Sequence, residues 1–123
     1  MNLAISVNEP QFDAALERRF GRCRYFIVID TDTIAWAAHE NPAAKSQGGA
    51  GPGAAQFLAD MAVSAVISGD YGPKAFTALQ AANIEMYAAK TGTAEHLLQS
   101  FLAGDLEHAA KGRGVQHHGR QAL

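Results

Sequence analysis

Between Ala54 and Leu102 two sequence rhythms alternate, and this alternation restricts the possible folds more than any other feature of the chain. Ala54, Phe57, Leu58 and Met61 recur at the spacing of a helix with one apolar face. Val63-Ser64-Ala65-Val66-Ile67 then reads as a buried strand, and Phe76, Leu79 and Ala82 as a second helical stripe. Residues 84–87 form another strand, and Ala94, Leu97, Leu98, Phe101 and Leu102 a third stripe ending near Gly104. Strands that alternate with helices are joined by right-handed crossovers, which makes them parallel and lays the helices over the sheet.

The first half has a different rhythm. Leu3 to Val7 and Tyr25 to Ile29 are short runs rich in β-branched and aromatic residues. Asp30-Thr31-Asp32-Thr33 is a polar turn, after which Ile34, Trp36 and Ala38 alternate with Ala35, Ala37 and His39, predicting a hairpin. The expected fold is α/β, a five-stranded mixed sheet in the order β-β-β-α-β-α-β-α with helices on its faces. With 123 residues, 48% hydrophobic and 18% charged, the chain has material for one core. Residues 1–107 are expected to form the domain. Residues 108–123 read as a mobile basic tail containing Lys111, Arg113, His117, His118 and Arg120.

On that topology the loop before the second strand and the loops leaving the third, fourth and fifth strands share one edge, where open α/β sheets bind ligands. Three of these loops open helices, whose N-terminal N–H groups favour anions. They carry Gly48, Gly49, Gly51 and Gly53, then Ser68-Gly69-Asp70-Tyr71-Gly72-Pro73, then Gly92-Thr93. Pro73 suits the first helical position and Thr93 an N-cap. Arg22, Arg24, Lys45, Lys74 and Lys90 can add positive charge, although for any one of them solvated surface is the simpler reading.

Several classes of function lack support. The net charge of −2 recruits neither nucleic acid nor anionic membrane. No apolar stretch approaches the roughly 20 residues of a membrane helix, and Met1 to Val7 has no leader pattern, so a cytoplasmic location is expected. A single cysteine, Cys23, cannot form an internal disulfide or a usual structural zinc site. The glycine loops match neither a Walker loop nor a dinucleotide fingerprint, and no Gly-x-Ser-x-Gly elbow is present.

Phe20-Gly21-Arg22-x-x-Tyr25-Phe26, Glu40-Asn41-Pro42, the Gly48 to Gly53 loop, Ser68-Gly69-x-x-Gly72-Pro73-x-Ala75-Phe76 and Gly92-Thr93 follow one another in this order. Together, over Leu3 to Leu106, they resemble the dinitrogenase iron-molybdenum cofactor biosynthesis family. The resemblance implies a ribonuclease-H-like fold that binds or carries metal–sulfur clusters. These include nitrogenase cofactor precursors and, in the orange-protein branch, a molybdenum–copper sulfide cluster. On this view the chain is a non-enzymatic carrier of an anionic cluster containing molybdenum with copper or iron. Its partners are cluster donor and recipient proteins. The alternative is a regulatory or scaffold domain that binds a protein or a small anion at the same edge. A ribonuclease-H-type nuclease would need paired carboxylates, one on the first strand, where Ser6 and Asn8 stand instead.

The implied cofactor-binding residues are Arg19, Gly21, Arg22, Cys23, Arg24, Asn41, Gly48, Gly49, Gly51, Gly69, Gly72, Gly92 and Thr93. Arg19 stands where many relatives carry a histidine, and a guanidinium does not coordinate metal as imidazole does. It can instead hold an anionic cluster by charge and hydrogen bonds. Cys23 reads either as a thiolate ligand activated by Arg22 and Arg24 or as a small buried hydrophobe. His39 reads as a metal ligand at the rim or as a structural strand residue.

Overall fold

The computed structural model describes residues 1–109. The strands are β1 (Asn2–Val7), β2 (Tyr25–Asp30), β3 (Trp36–Glu40), β4 (Val63–Ser68), β5 (Glu85–Ala88) and β6 (Glu107–His108). The helices are α1 (Ala50–Asp60), α2 (Pro73–Ala81) and α3 (Ala94–Leu102). One sheet holds all six strands in the order β3-β2-β1-β4-β5-β6. β1, β4 and β5 are parallel, and β2 is antiparallel to both β1 and β3.

Two expectations need correction. The sheet has six strands rather than five, because β6 pairs antiparallel with β5 through Tyr87↔His108 and Ala88↔Glu107. His108 therefore lies in the sheet, while the rest of the expected tail, from Ala110 on, lies outside the described residues. The third strand also starts two residues late. Ile34 belongs to the hairpin turn with a left-handed φ of 65°, and its N–H donates to the Asp30 carbonyl at 2.7 Å.

The alternating strand faces bury two apolar layers. Ala4, Phe26, Val66 and Met86 pack with Ala54 and Leu58 of α1 and Leu79 of α2. On the other face Leu3, Ile5, Ile27, Ile29 and Ile67 pack with Ala94, Leu97 and Leu98 of α3.

The arm 8–24, which links β1 to β2, is stitched across the carboxyl ends of the parallel strands. Glu17 N–H donates to the Ser6 carbonyl at 2.8 Å, Gly69 and Asp70 N–H both donate to the Arg18 carbonyl, and Phe20 N–H donates to the Asp70 carbonyl at 3.2 Å. Further along the same edge, Leu16 N–H donates to the Gly92 carbonyl and Ala94 N–H to the Ala14 carbonyl, each at 2.9 Å. Beneath the arm the buried hydroxyls of Ser6 and Ser68 lie 2.7 Å apart, and Ser6 Oγ donates to the Glu17 carbonyl at 2.7 Å. Hydroxyls buried with partners in hand anchor this backbone; buried without them they would be costly.

Candidate functional site

The arm, the start of α1 and the start of α2 enclose a cleft of about 530 Å3. Arg19 to Arg22 form one wall, Gly49 to Pro52 a second, and Asp70 with Gly72 to Ala75 the third. Both helices begin with glycine at the N-cap, Gly49 and Gly72, and neither N-cap side chain closes the first turn. Pro52 and Pro73 have no N–H, so the leading N–H groups that no helical carbonyl can satisfy are those of Ala50 and Gly51 in α1 and of Lys74 and Ala75 in α2, all residues of the cleft lining. α3 differs, since Thr93 Oγ1 accepts from His96 N–H at 3.1 Å and caps it.

The glycines divide into two kinds. A Cβ on Gly21 would lie 2.7 Å from Gly51 N, one on Gly51 2.7 Å from Ala75 Cβ, and one on Gly69 2.6 Å from Arg18 Cβ. These three let rim segments touch one another. Gly48 and Gly72 have no atom within 4 Å of such a position, and neither has a left-handed φ. No internal contact requires glycine there.

Of the residues anticipated from sequence, Arg19, Gly21, Arg22, Gly49, Gly51 and Gly72 line the cleft. Gly92 and Thr93 are outside it. Gly92 has φ 131° and Thr93 is occupied as a cap, so helix geometry accounts for both. Arg24 and Asn41 line a separate hollow of about 280 Å3 with Tyr25, Glu40 and Lys45. Asn41 is buried and acts as a staple, its Nδ2 donating to the Gly21 and Cys23 carbonyls at 3.1 and 2.9 Å while its Oδ1 accepts from Ala43 N–H. His39 pairs with Phe26 in the β2–β3 ladder and does not line the cleft.

Cys23 is fully buried, and its Sγ donates to the Phe20 carbonyl at 3.4 Å. Burial pushes the thiol up to about 12, opposite in direction to the expected activation by Arg22 and Arg24. Its surroundings are those of a packed hydrophobe. Cys23 is accordingly expected to resist a thiol-specific disulfide reagent at pH 8 in the native protein and to react fully in denaturant. Rapid native labelling would show the thiol to be accessible.

The electrostatics of the rim are more balanced than its arginines suggest. Arg22 Nη1 donates to the Ala44 and Ser46 carbonyls at 3.2 and 2.7 Å, clamping the loop that leads to α1. Arg18 pairs with Asp70 at 3.6 Å, and Arg19 forms a two-pronged pair with Glu17, Nε to Oε2 at 3.0 Å and Nη2 to Oε1 at 3.1 Å. Sequence reading missed Glu17. The available signal was an opposite charge two residues from Arg19, since residues at i and i+2 share a face in extended backbone.

The Arg19 hydrogen bond is the main reason the Glu17 carboxyl sits at about 2, below its ordinary 4.5, with burial opposing and Asn8 assisting. A carboxyl lowered in the folded state stabilises fully above the unfolded value, and that contribution is lost as pH falls through the folded one. The urea midpoint of the wild type is thus expected to drop between about pH 5 and pH 2. Glu17→Gln should flatten part of this slope, and an identical slope in the variant would remove Glu17 from the account.

Among the described residues, no group of three or more His, Cys, Asp and Glu is placed to hold a metal ion. No helix among them is long and apolar enough to cross a membrane. What the sheet edge offers is a glycine-lined cleft, walled by the starts of two helices, on a small α/β domain.

The chain belongs to the dinitrogenase iron-molybdenum cofactor family, whose model matches residues 1–104. It is similar to the apo form of the orange protein from Desulfovibrio gigas, with 35% identity, a TM-score of 0.88, and coverage of 91% of this chain and 95% of the other. A Thermotoga protein provisionally named as NifB, solved by NMR, is 31% identical at a TM-score of 0.77, with coverage of 87% and 91%. An uncharacterized protein of Methanocaldococcus jannaschii is 32% identical over 110 residues, 87% of this chain and 90% of its own length.

Proposed function

We propose that this protein is a non-enzymatic carrier of a preassembled, anionic metal–sulfur cluster, held as cargo in the cleft between the starts of α1 and α2. The observation that carries this reading is the convergence of two uncapped, glycine-headed helix starts on one cleft. Helix starts and guanidinium groups stabilise an anion without coordinating its metals. The absence of a ligand triad among the described residues fits a cluster that arrives built. Family membership and similarity to the orange protein support cofactor-related cargo, with molybdenum and copper or iron as the candidate metals. The strand order β3-β2-β1-β4-β5 supports the ribonuclease-H-like assignment, with β6 added at the edge.

Within this reading Gly21, Gly51 and Gly69 set the spacing of the walls, and Gly49 and Gly72 leave room for the guest, while Gly48 lies outside the cleft lining. Arg19 and Arg22 face it, while Cys23 and His39 are not required as ligands. The test is anaerobic incubation with tetrathiomolybdate and copper, or with iron, sulfide and molybdate, followed by gel filtration with absorbance and metal analysis. The expected result is a coloured protein peak with a fixed metal content. Protein that leaves every mixture colourless and metal-free overturns the carrier reading. Equal retention of phosphate or sulfate would favour the small-anion alternative.

A further inference from the structure

Among the described residues, Arg19 is the one cleft-lining cation whose guanidinium is held by a carboxylate, and the carboxylate is itself immobilised. Glu17 accepts at Oε2 from Arg19 Nε and from Arg19 N–H at 2.9 Å, and at Oε1 from Arg19 Nη2 and from Asn8 Nδ2 at 2.7 Å. The Glu17 backbone is pinned from below by Ser6 through both its N–H and its carbonyl. The Glu17 side chain is only 12% exposed, whereas that of Arg19 is 68% exposed. One edge of the guanidinium is therefore consumed by Glu17. Nη1 has no protein hydrogen bond among the described residues and remains at a residue that lines the cleft.

We infer that Glu17 is a positioning residue for cargo binding: it fixes the Arg19 fork against the cleft wall so that the opposite guanidinium edge meets the anion already oriented. This inference rests on the carrier reading. An exposed arginine free to rotate must be immobilised when it binds, at a cost in affinity that a prior clamp removes. Lysine at the same place keeps the charge but has no planar fork for Glu17 to hold.

The sign of one effect separates positioning from charge. Glu17→Gln removes a negative charge beside an anion cleft, so bulk electrostatics alone would tighten anion binding. Positioning requires it to weaken. With tetrathiomolybdate as the probe, Glu17→Gln and Arg19→Lys are each expected to weaken binding about fivefold, and the double variant no further than the weaker single. The Arg19 Nε–H signal in nitrogen-edited NMR should be protected from exchange in the wild type and unprotected in Glu17→Gln. Unchanged or tighter binding by Glu17→Gln, additive losses in the double variant, or equal Nε–H protection in both proteins overturns the inference. A wild type that binds no thiometallate overturns the carrier reading and this inference together, whereas binding by the wild type that is insensitive to Glu17 overturns the inference alone.

Discussion

Phe20→Ala is expected to lower the unfolding free energy by about 3–5 kcal/mol, seen as a large fall in the urea midpoint. Phe20 is 1% exposed although it belongs to the arm rather than to a strand or long helix. Its ring lies 5.6 Å from that of Phe26 and 5.4 Å from that of Tyr71, so it fastens the arm to β2 and to the loop after β4. Tyr71 is fixed in turn by its hydroxyl, which donates to the Tyr87 carbonyl at 2.7 Å and to the Val66 carbonyl at 3.2 Å. Truncating Phe20 leaves a void among rings that cannot easily collapse. Because Phe20 also lines the cleft, the same variant should lose cargo at temperatures where it remains folded. A destabilisation under about 1 kcal/mol would mean that hydrogen bonds alone hold the arm.

The second large effect is a contrast between glycines. Gly21→Ala pushes a methyl against Gly51 N at 2.7 Å and against Ala50 C and Gly51 Cα at 2.9 Å. These are backbone atoms of the α1 start, which cannot rotate away, so a loss of about 1–3 kcal/mol is expected. Gly72→Ala meets nothing within 4 Å at φ −65°. Its stability should stay within about 0.5 kcal/mol of wild type, or rise slightly through the unfolded chain. Gly72 lines the cleft, however, so on the carrier reading retention of a reconstituted cluster on desalting should fall. Paired urea titrations and metal analyses of the two variants check the division. Equal destabilisation of both would erase the distinction between wall-spacing and guest-facing glycines.

Much of the architecture was legible because it rests on periodicity. The stripes Ala54-Phe57-Leu58 and Leu97-Leu98-Phe101 became α1 and α3, and the run from Val63 became β4. β6 was not legible, since Glu107-His108 is a polar dipeptide whose strand state depends on pairing with Tyr87 and Ala88. Ile34 misled because a β-branched residue seldom adopts positive φ, and here closure of the hairpin outweighs that preference. The gathering of loops at one sheet edge followed from topology, although the loop carrying Gly92 and Thr93, expected on the same rim, lies outside the cleft. The internal wiring of the cleft did not follow. The Gly21–Gly51 approach and the Ser6–Ser68 anchor join residues 30 and 62 positions apart, and no local pattern announces them. For Cys23 the sequence left open a thiolate beside Arg22 and Arg24 or a small buried hydrophobe, and it is the packing around the residue, which no local pattern shows, that favours the second.

Trp36, the sole tryptophan, opens β3 at the end opposite the loop leading to the cleft, and its indole stacks on Phe12 at 5.2 Å with the rings 11° from parallel. Phe12 belongs to the arm that also carries Arg19. A chain whose one tryptophan leans on that arm has its own optical gauge. Detachment of the arm would unstack Trp36 and alter its emission, and in metal-free protein that signal would report on the arm without any added dye.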